Sequence, residues 1–255
     1  MTTEPVPQLV AHRGDMQQYP ENSWPALRAA VEAGACWLEF DVQMCADNSF
    51  VLLHDVDFRR TGLDARQVFD LDSETCHNIS VHQPDCFKDR FDPTPVPRLD
   101  EVLAWLDTLP AVRAMVEIKT ESLDHFGCET VMQALLETLN PHRECCVLIS
   151  FSDEALRFAS RHASLELGWV IHRYDDLHKQ RAEQLNPHYL ICNQQKIPRH
   201  KALWRGAWRW MLYDIRDPQQ ALEWAKQDID LIETGDIIQL LKHPLLARRG
   251  CHHGL

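Results

Sequence analysis

Short apolar runs alternate along this chain with segments that carry helix signals. Eight runs have the length of buried strands, and they cover residues 8–12, 37–42, 112–118, 145–150, 165–171, 188–192, 210–215 and 229–233. The segments between them show helix punctuation, such as the start signal Asp217-Pro218 and the stop signals Asn140-Pro141 and Asn186-Pro187. Strands that alternate with helices predict a parallel sheet with crossover connections.

A ninth apolar run breaks this rhythm. Residues 50–54 follow the second strand after only a short polar turn at 46–48. A parallel crossover needs a dozen or more residues, so this run is predicted to form a β-hairpin with the second strand. The remaining strands and helices match the inventory of a (β/α)8 TIM barrel in the α/β class, with an open doubly wound sheet as the alternative.

The length and composition fit one domain. A chain of 255 residues with 45% hydrophobic and 25% charged positions can form a single barrel over residues 1–255. Residues 56–98 lack clear periodicity and are rich in proline. Loops of this length in a compact domain are usually functional or form a small subdomain. We therefore expect an insertion near the mouth of the barrel, where it could serve as a lid.

The charge balance narrows the range of partners. A formal net charge of −12 argues against nucleic acid or an anionic membrane as the main partner, but not against a small anionic substrate. Residues 1–8 lack the basic start and apolar block of a signal peptide. No run approaches the ~18 apolar residues of a membrane span. We expect a cytoplasmic protein without stable membrane insertion.

The nine cysteines are scattered, odd in number and free of C-x-x-C pairs. For a chain of this length without a signal sequence, we expect free thiols in a reducing compartment rather than a disulfide framework. The C-terminal Cys251-His252-His253 could collect a metal ion, but a frayed tail is the favoured interpretation.

Carboxylates end two of the predicted strands. Glu39 and Asp41 are two residues apart, so they project from the same face, about 6.6 Å apart along the strand. Two buried, unpaired carboxylates would be costly, and a divalent cation such as Mg²⁺ or Ca²⁺ would remove that cost. Glu117 could be a third ligand, and Lys119 could meet a phosphate. The alternative is a buried salt-bridge cluster of Glu39, Asp41, Arg13 and Lys119.

Two histidines also fall at strand ends. His12 ends the first strand and His54 ends the hairpin strand, so they flank the acidic pair in sequence. Imidazole can serve as general acid or general base near neutral pH. Arg13 is suited to bind phosphate oxygens with two hydrogen bonds, and Glu21 could orient it. Asn22 or Ser23 can cap the next helix, and the cap is the preferred interpretation of Asn22.

Together these motifs resemble the glycerophosphodiester phosphodiesterase family. The matching elements are His12-Arg13-Gly14, Pro20-Glu21-Asn22-Ser23, Gly34-Ala35, Glu39-x-Asp41, the turn with Asp47, His54-Asp55, Val96-Pro97-Arg98-Leu99 and Glu117-x-Lys119. They cover the first half of the chain densely and in order. The resemblance implies a barrel that hydrolyses a small glycerophosphodiester to sn-glycerol 3-phosphate and an alcohol. It also implies a divalent cation, usually Mg²⁺ or Ca²⁺, with Mn²⁺ as a third candidate.

The resemblance also implies roles for individual residues. Glu39, Asp41 and Glu117 would be metal ligands, His12 and His54 the acid–base pair, and Arg13 and Lys119 the phosphate-binding side chains. The second half matches less well. Its closing block reads Ile232-Glu233-Thr234-Gly235, where an aspartate often follows the threonine. Tyr213 could line the leaving-group pocket or pack inside the barrel.

Several alternatives stay open at this point. The protein could be a related phosphodiesterase of lysophospholipids or inositol lipids, or a barrel that binds phosphodiesters without catalysis. The residues do not distinguish the general acid from the general base, nor attack by water from formation of a cyclic phosphate. The alcohol, the native metal and the oligomeric state are also open.

Overall fold

The computed structural model of the protein describes residues 5–198 and 202–251. Within these ranges the strands are β1 (Gln8–His12), β2 (Trp37–Met44), β3 (Phe50–Leu52), β4 (Asp57–Phe58), β5 (Asp64–Gln67), β6 (Arg113–Ile118), β7 (Cys146–Ser150), β8 (Glu166–Ile171), β9 (Tyr189–Asn193), β10 (Arg209–Tyr213) and β11 (Leu231–Thr234). The α-helices are α1 (Trp24–Glu32), α2 (Arg59–Gly62), α3 (Ser73–His77), α4 (Pro84–Phe87), α5 (Leu99–Asp107), α6 (Thr120–Phe126), α7 (Cys128–Leu139), α8 (Asp153–His162), α9 (Asp176–Leu185), α10 (Pro218–Ala225) and α11 (Ile237–Leu241). Short 3-10 helices cover Val68–Asp70, Asn140–His142, Gln194–Lys196 and Leu246–Arg249.

The main sheet closes on itself. Strand β1 pairs in parallel with both β2 and β11, and the intervening strands pair in parallel in the order β2, β6, β7, β8, β9, β10, β11. Each of the eight predicted runs contributes one of these strands. The predicted (β/α)8 barrel is therefore confirmed, because an open doubly wound sheet has two edge strands with one neighbour each, whereas every one of these eight parallel strands has two.

The predicted hairpin and insertion follow β2. Strand β3 pairs antiparallel with β2, and Val42 lies opposite Leu52. The residues after β3 form the β4–β5 ribbon and the short helices α2, α3 and α4. Their apolar side chains make a separate cluster with the hairpin: Cys45, Val51, Leu53, Phe58, Val68, Phe69, Cys76, Ile79, Val81 and Val96. The insertion thus has a small core of its own, built from elements too short to show periodicity in the sequence.

Strand alternation separates two apolar layers. In β2, Leu38 and Phe40 face the helices in the main core, whereas Trp37 joins the smaller cluster inside the barrel. That inner cluster consists of Val10, Trp37, Met115, Val147, Ile149, Val170, Tyr189, Ile191, Met211 and Leu231. Gly168 completes it, because a Cβ there would lie 2.8 Å from Cγ2 of Ile149. The barrel is therefore a filled core below the polar residues at its carboxyl end.

The cysteine prediction was wrong for one pair. Cys36, just before β2, forms a disulfide with Cys251, and the backbone N–H of Cys251 donates to the carbonyl of Gly34 at 2.8 Å. The tail is therefore anchored at Cys251, and His252 and His253 lie outside the described residues. The pairing joins positions 215 residues apart, so only the fold brings them together. The remaining cysteines, Cys45, Cys76, Cys86, Cys128, Cys145, Cys146 and Cys192, are free thiols as expected.

Across residues 5–198 and 202–251, no helix combines the length and the apolar character that crossing a membrane requires.

We expect Leu38→Ala to lower the free energy of unfolding by about 2–5 kcal/mol, because Leu38 is fully buried between β2 and the helices. Leu177→Ala is the matched control, since Leu177 is 61% exposed, and it should change stability by less than about 0.5 kcal/mol. Urea denaturation of both variants measures the difference. Equal stability of the two variants would contradict the layered packing.

Candidate active site

The polar residues at the open end surround one cavity of about 260 Å³. It is lined by His12, Arg13, Asp41, His54, Glu117, Lys119, Ile149, Phe151, Val170, Ile191, Tyr213, Asp214 and Glu233. Most of the charged side chains come from the ends of β1, β2, β6 and β11 and from the end of the hairpin, and Asp214 follows β10. The apolar and aromatic side chains come from the ends of β7 to β10. The cavity therefore has a mainly charged side and a mainly apolar side.

A larger groove lies at the opposite end of the barrel. Its volume is about 830 Å³, and it is lined by residues next to the amino ends of β1, β10 and β11, including Val6, Arg209 and Asp230. Among its described lining residues there is no histidine or cysteine. The smaller cavity is the candidate active site, because titratable groups converge there and because barrel enzymes work at the carboxyl ends of their strands.

The three predicted metal ligands lie together. The register of β2 places Glu39 beside His12 and Asp41 beside Glu117. Glu39, Asp41 and Glu117 are buried, and each offers an oxygen within 4.8 Å of the other two. This acidic cluster could hold a cation.

The salt-bridge alternative describes only part of this cluster. Nε of Arg13 lies 2.9 Å from Oδ2 of Asp41, and Nζ of Lys119 lies 3.3 Å from Oδ1 of Asp41 and 2.8 Å from Oε1 of Glu117. Glu39 receives the backbone N–H of Arg13 at Oε2, at 3.1 Å. Its Oε1 is buried without a hydrogen-bond partner among the described residues. A buried carboxylate oxygen without a hydrogen-bond partner is a position that a cation could occupy.

The pKa values of the three carboxyl groups also distinguish Asp41 from Glu39 and Glu117. Burial raises the pKa of Glu117 to about 7, with the charge of Asp41 adding to the effect. Burial, Asp41 and Glu233 raise the pKa of Glu39 well above its ordinary value. For Asp41, burial is outweighed by Arg13 and Lys119, which hold its pKa well below the ordinary value. The basic side chains therefore outweigh the effect of burial at Asp41, but not at Glu117 or Glu39.

A strained backbone holds Arg13. Its φ of 54° lies in the left-handed region, which is uncommon for residues other than glycine. Gly14 follows at φ 77°, and a Cβ there would lie 2.5 Å from the carbonyl carbon of Ala26. Only glycine allows this close approach to α1. Glu21 accepts a hydrogen bond from Nη1 of Arg13 at 2.8 Å, as the sequence suggested.

The predicted role of Asn22 was wrong. Ser23 caps α1, since its side chain accepts the N–H of Ala26, whereas Asn22 has a φ of 50° and faces the site. Nδ2 of Asn22 donates to Oδ2 of Asp41 at 3.0 Å, and its Oδ1 accepts the backbone N–H of Asp41. Two adjacent residues were both suitable caps, and only the turn of the chain decides between them.

The two histidines have different surroundings. Nε2 of His12 lies 3.3 Å from Oε1 of Glu233, and burial together with the positive charge of Arg13 lowers the pKa of His12 to about 3. His54 is half-exposed, and its Nδ1 lies 2.6 Å from Oδ1 of Asp55. Both rings line the same cavity.

The sequence analysis left Glu233 without a role. It is the penultimate residue of the last barrel strand, is 5% exposed and forms a second potential ligand group with His12 and Glu39. Burial and the charge of Glu117 raise its pKa well above the ordinary value. Its place at the end of an apolar run was the signal that could have identified it. Tyr213 lines the cavity and also packs against the inner cluster.

The fold and site define a barrel with an acidic, phosphate-compatible centre at the carboxyl ends of its strands. The chain belongs to the Glycerophosphoryl diester phosphodiesterase family, whose pattern it matches over residues 12–199. This confirms the resemblance inferred from the motifs.

Individual relatives agree with this assignment. A glycerophosphodiester phosphodiesterase of Caldanaerobacter subterraneus is 29% identical over 149 residues, 58% of this chain and 60% of the relative. The uncharacterized protein YqiK of Bacillus subtilis is 28% identical over 159 residues, 60% of this chain and 61% of that protein. The chain thus matches about three fifths of the length of these curated relatives.

Solved structures share the fold. An Oleispira antarctica phosphodiesterase in complex with the product sn-glycerol-3-phosphate superposes with a TM-score of 0.81 at 21% identity, over 93% of this chain and 96% of that one. A glycerophosphodiester phosphodiesterase from Agrobacterium tumefaciens gives a TM-score of 0.72 at 21% identity, over 93% and 100% of the two chains.

We expect Asn22→Asp to destabilise the protein by about 1–3 kcal/mol, because Asp41 would lose a buried donor and face a second carboxylate. Asn48→Asp is the matched control. Asn48 also has a positive φ, of 62°, but it is exposed in the hairpin turn. Chemical denaturation of both variants without added metal tests this, and equal effects would contradict the contact between Asn22 and Asp41.

Proposed function

We propose that the protein is a divalent-cation-dependent phosphodiesterase that hydrolyses glycerophosphodiesters to sn-glycerol 3-phosphate and an alcohol. The observation that carries this proposal is the convergence of His12, His54, Arg13 and Lys119 with the acidic cluster around one small cavity. The family and the relatives named above support the same reaction class. The acidic net charge favours a small diester over nucleic acid as substrate.

The acidic cluster fits a divalent cation by charge. Four buried carboxylates, on Glu39, Asp41, Glu117 and Glu233, are balanced among the described groups by two basic side chains, Arg13 and Lys119. Glu39, Asp41 and Glu117 would hold the ion, and their oxygen donors suit Mg²⁺ or Ca²⁺, with Mn²⁺ as a third candidate. A cation bound there would polarise the phosphoryl oxygens and stabilise the negative charge of the transition state.

The remaining side chains would have two separate roles, phosphate binding and proton transfer. Arg13 and Lys119 would bind the phosphate oxygens, Arg13 through its planar guanidinium and Lys119 as a point charge. One of the two histidines would take a proton from the attacking nucleophile, water or the glycerol 2-hydroxyl, and the other would give a proton to the leaving alkoxide. Asp55 supports this role for His54 by fixing the orientation of its ring through Nδ1.

We expect release of sn-glycerol 3-phosphate from glycerophosphodiesters, measured in a coupled dehydrogenase assay, and loss of this activity with EDTA. His12→Ala and His54→Ala should each lower kcat by about 10²–10⁴, because each removes one proton-transfer group. His162→Ala, an exposed histidine at the end of α8, is the control and should retain activity. Full activity of the double variant His12→Ala, His54→Ala would refute the assigned roles.

Metal binding can be tested without turnover. We expect Mg²⁺, Ca²⁺ or Mn²⁺ to raise the unfolding temperature of the protein. At a metal concentration of a hundred times the Kd, binding adds about 2.7 kcal/mol to the free energy of unfolding. Glu39→Gln should abolish this shift, whereas Glu121→Gln, which alters an exposed carboxylate on α6, should retain it. An unchanged shift in Glu39→Gln would remove Glu39 from the ligand set.

A further inference from the structure

One arginine of the insertion joins two parts of the candidate active site. Arg60 lies on α2, and its Nη2 donates to Oε1 of Glu21 at 2.8 Å, while Nη1 donates to Oε2 of the same carboxylate. Its Nε donates to Oδ2 of Asp55 at 2.7 Å. The guanidinium is therefore shared between two carboxylates that are 34 residues apart in the sequence.

Each of these carboxylates holds a residue of the cavity on its other side. Glu21 accepts from Arg13 at 2.8 Å, and Asp55 lies 2.6 Å from Nδ1 of His54. The geometry points to Arg60 as the positioning residue that orients Arg13 through Glu21 and His54 through Asp55. This inference rests on the proposed function and extends it, because it names the residue that aligns the phosphate-binding Arg13 and the proton-transfer residue His54.

The contacts of Arg60 explain why the residue is an arginine. A guanidinium offers its nitrogens in a planar fork, so the two Nη atoms can bind Glu21 while Nε binds Asp55. A lysine at this position has one ammonium group and could reach only one carboxylate well. Arg60 does not line the cavity, so it acts through these two partners and not on the substrate.

The charge states of both partners fit this arrangement. Burial opposes ionisation of Glu21, but the hydrogen bond from Arg60 and the charge of Arg13 outweigh it and lower the pKa of Glu21. Burial is likewise outweighed at Asp55, where Arg60 and His54 lower the pKa. Both carboxylates therefore stay ionised and keep accepting hydrogen bonds from the residues that they orient.

A second residue of the insertion supports the same contact. Oε1 of Gln83 accepts the backbone N–H of Glu21 at 3.1 Å, and Nε2 of Gln83 donates to Oε2 of Glu21 at 3.3 Å. Glu21 is 3% exposed, so the insertion encloses it. Buried networks of this kind fix side-chain orientation when all their members are satisfied.

The experiment compares Arg60→Ala, Arg60→Lys and the control Arg59→Ala in the metal-loaded enzyme. The side chain of Arg59 is 70% exposed and contacts only Asp57 among the described residues, so its removal should leave turnover within twofold of wild type. We expect Arg60→Ala to lower kcat/KM by about 10- to 100-fold, because small displacements of catalytic groups have effects of this size. Arg60→Lys should recover part of the loss, because it can still pair with one carboxylate.

Double-mutant cycles separate positioning from a general loss of stability. In the cycle that combines Arg60→Ala with Asp55→Asn, the non-additive effect should appear mainly in kcat, because Asp55 contacts the proton-transfer residue His54. In the cycle that combines Arg60→Ala with Glu21→Gln, the non-additive effect should appear mainly in KM, because Glu21 contacts the phosphate-binding Arg13. Additive effects in both cycles, or an Arg60→Ala enzyme as active as Arg59→Ala, would overturn the inference. Thermal unfolding of every variant identifies those that fail to fold, and Arg60→Lys then replaces Arg60→Ala in the cycles.

A readout without turnover distinguishes failure of this inference from failure of the proposed function. In nitrogen-15 spectra of labelled histidines, the ring resonances of His54 should shift in Arg60→Ala and remain in place in Arg59→Ala. If wild type has no phosphodiesterase activity, the proposed function is refuted. The spectra then test by themselves whether Arg60 orients His54 through Asp55. If wild type is active and the resonances of His54 do not move in Arg60→Ala, positioning by Arg60 is refuted.

Discussion

The structure depends on a surplus of negative charge kept out of water at the open end of the barrel. Glu39, Glu117 and Glu233 are buried together with Asp41, and Asp41 takes both basic side chains of the cluster as partners. Desolvation of several carboxylates is expensive unless a cation or protons compensate it. The raised pKa values of Glu39, Glu117 and Glu233 express that cost, and Oε1 of Glu39 has no hydrogen-bond partner among the described residues. A divalent cation would correct both features.

The rest of the barrel can be understood as the support for this arrangement. Strand alternation sends Leu38 and Phe40 toward the helices and Glu39 and Asp41 toward the interior. The inner apolar cluster fills the barrel below the carboxylates and limits access to the carboxyl end. Because β2 lies between β1 and β6, its acidic pair has His12 on one side and Glu117 on the other. Residues far apart in the chain therefore meet without any long loop having to carry them.

The hairpin and insertion add a second layer of support outside the barrel wall. The hairpin presents His54 at the cavity, and the insertion presents Arg60 and Gln83 to the buried Glu21. The small core of the insertion holds together the elements that carry these contacts. In a barrel, supporting residues of this kind can be added after one strand without changing the register of the others. The insertion thus belongs to the structure of the site.

Much of the fold was legible in the sequence, because strand and helix signals are local. The eight strands, the hairpin after the second of them and the clustering of Glu39, Asp41 and Glu117 all follow from apolar period and residue spacing. The tertiary structure alone decided the closure of β1 onto β11, the disulfide between Cys36 and Cys251, and the contact of Asn22 with Asp41. It also decided that Glu233 faces His12 and that Arg60 joins Glu21 to Asp55. These features depend on distances between segments remote in the chain, and local propensities carry no information about such distances.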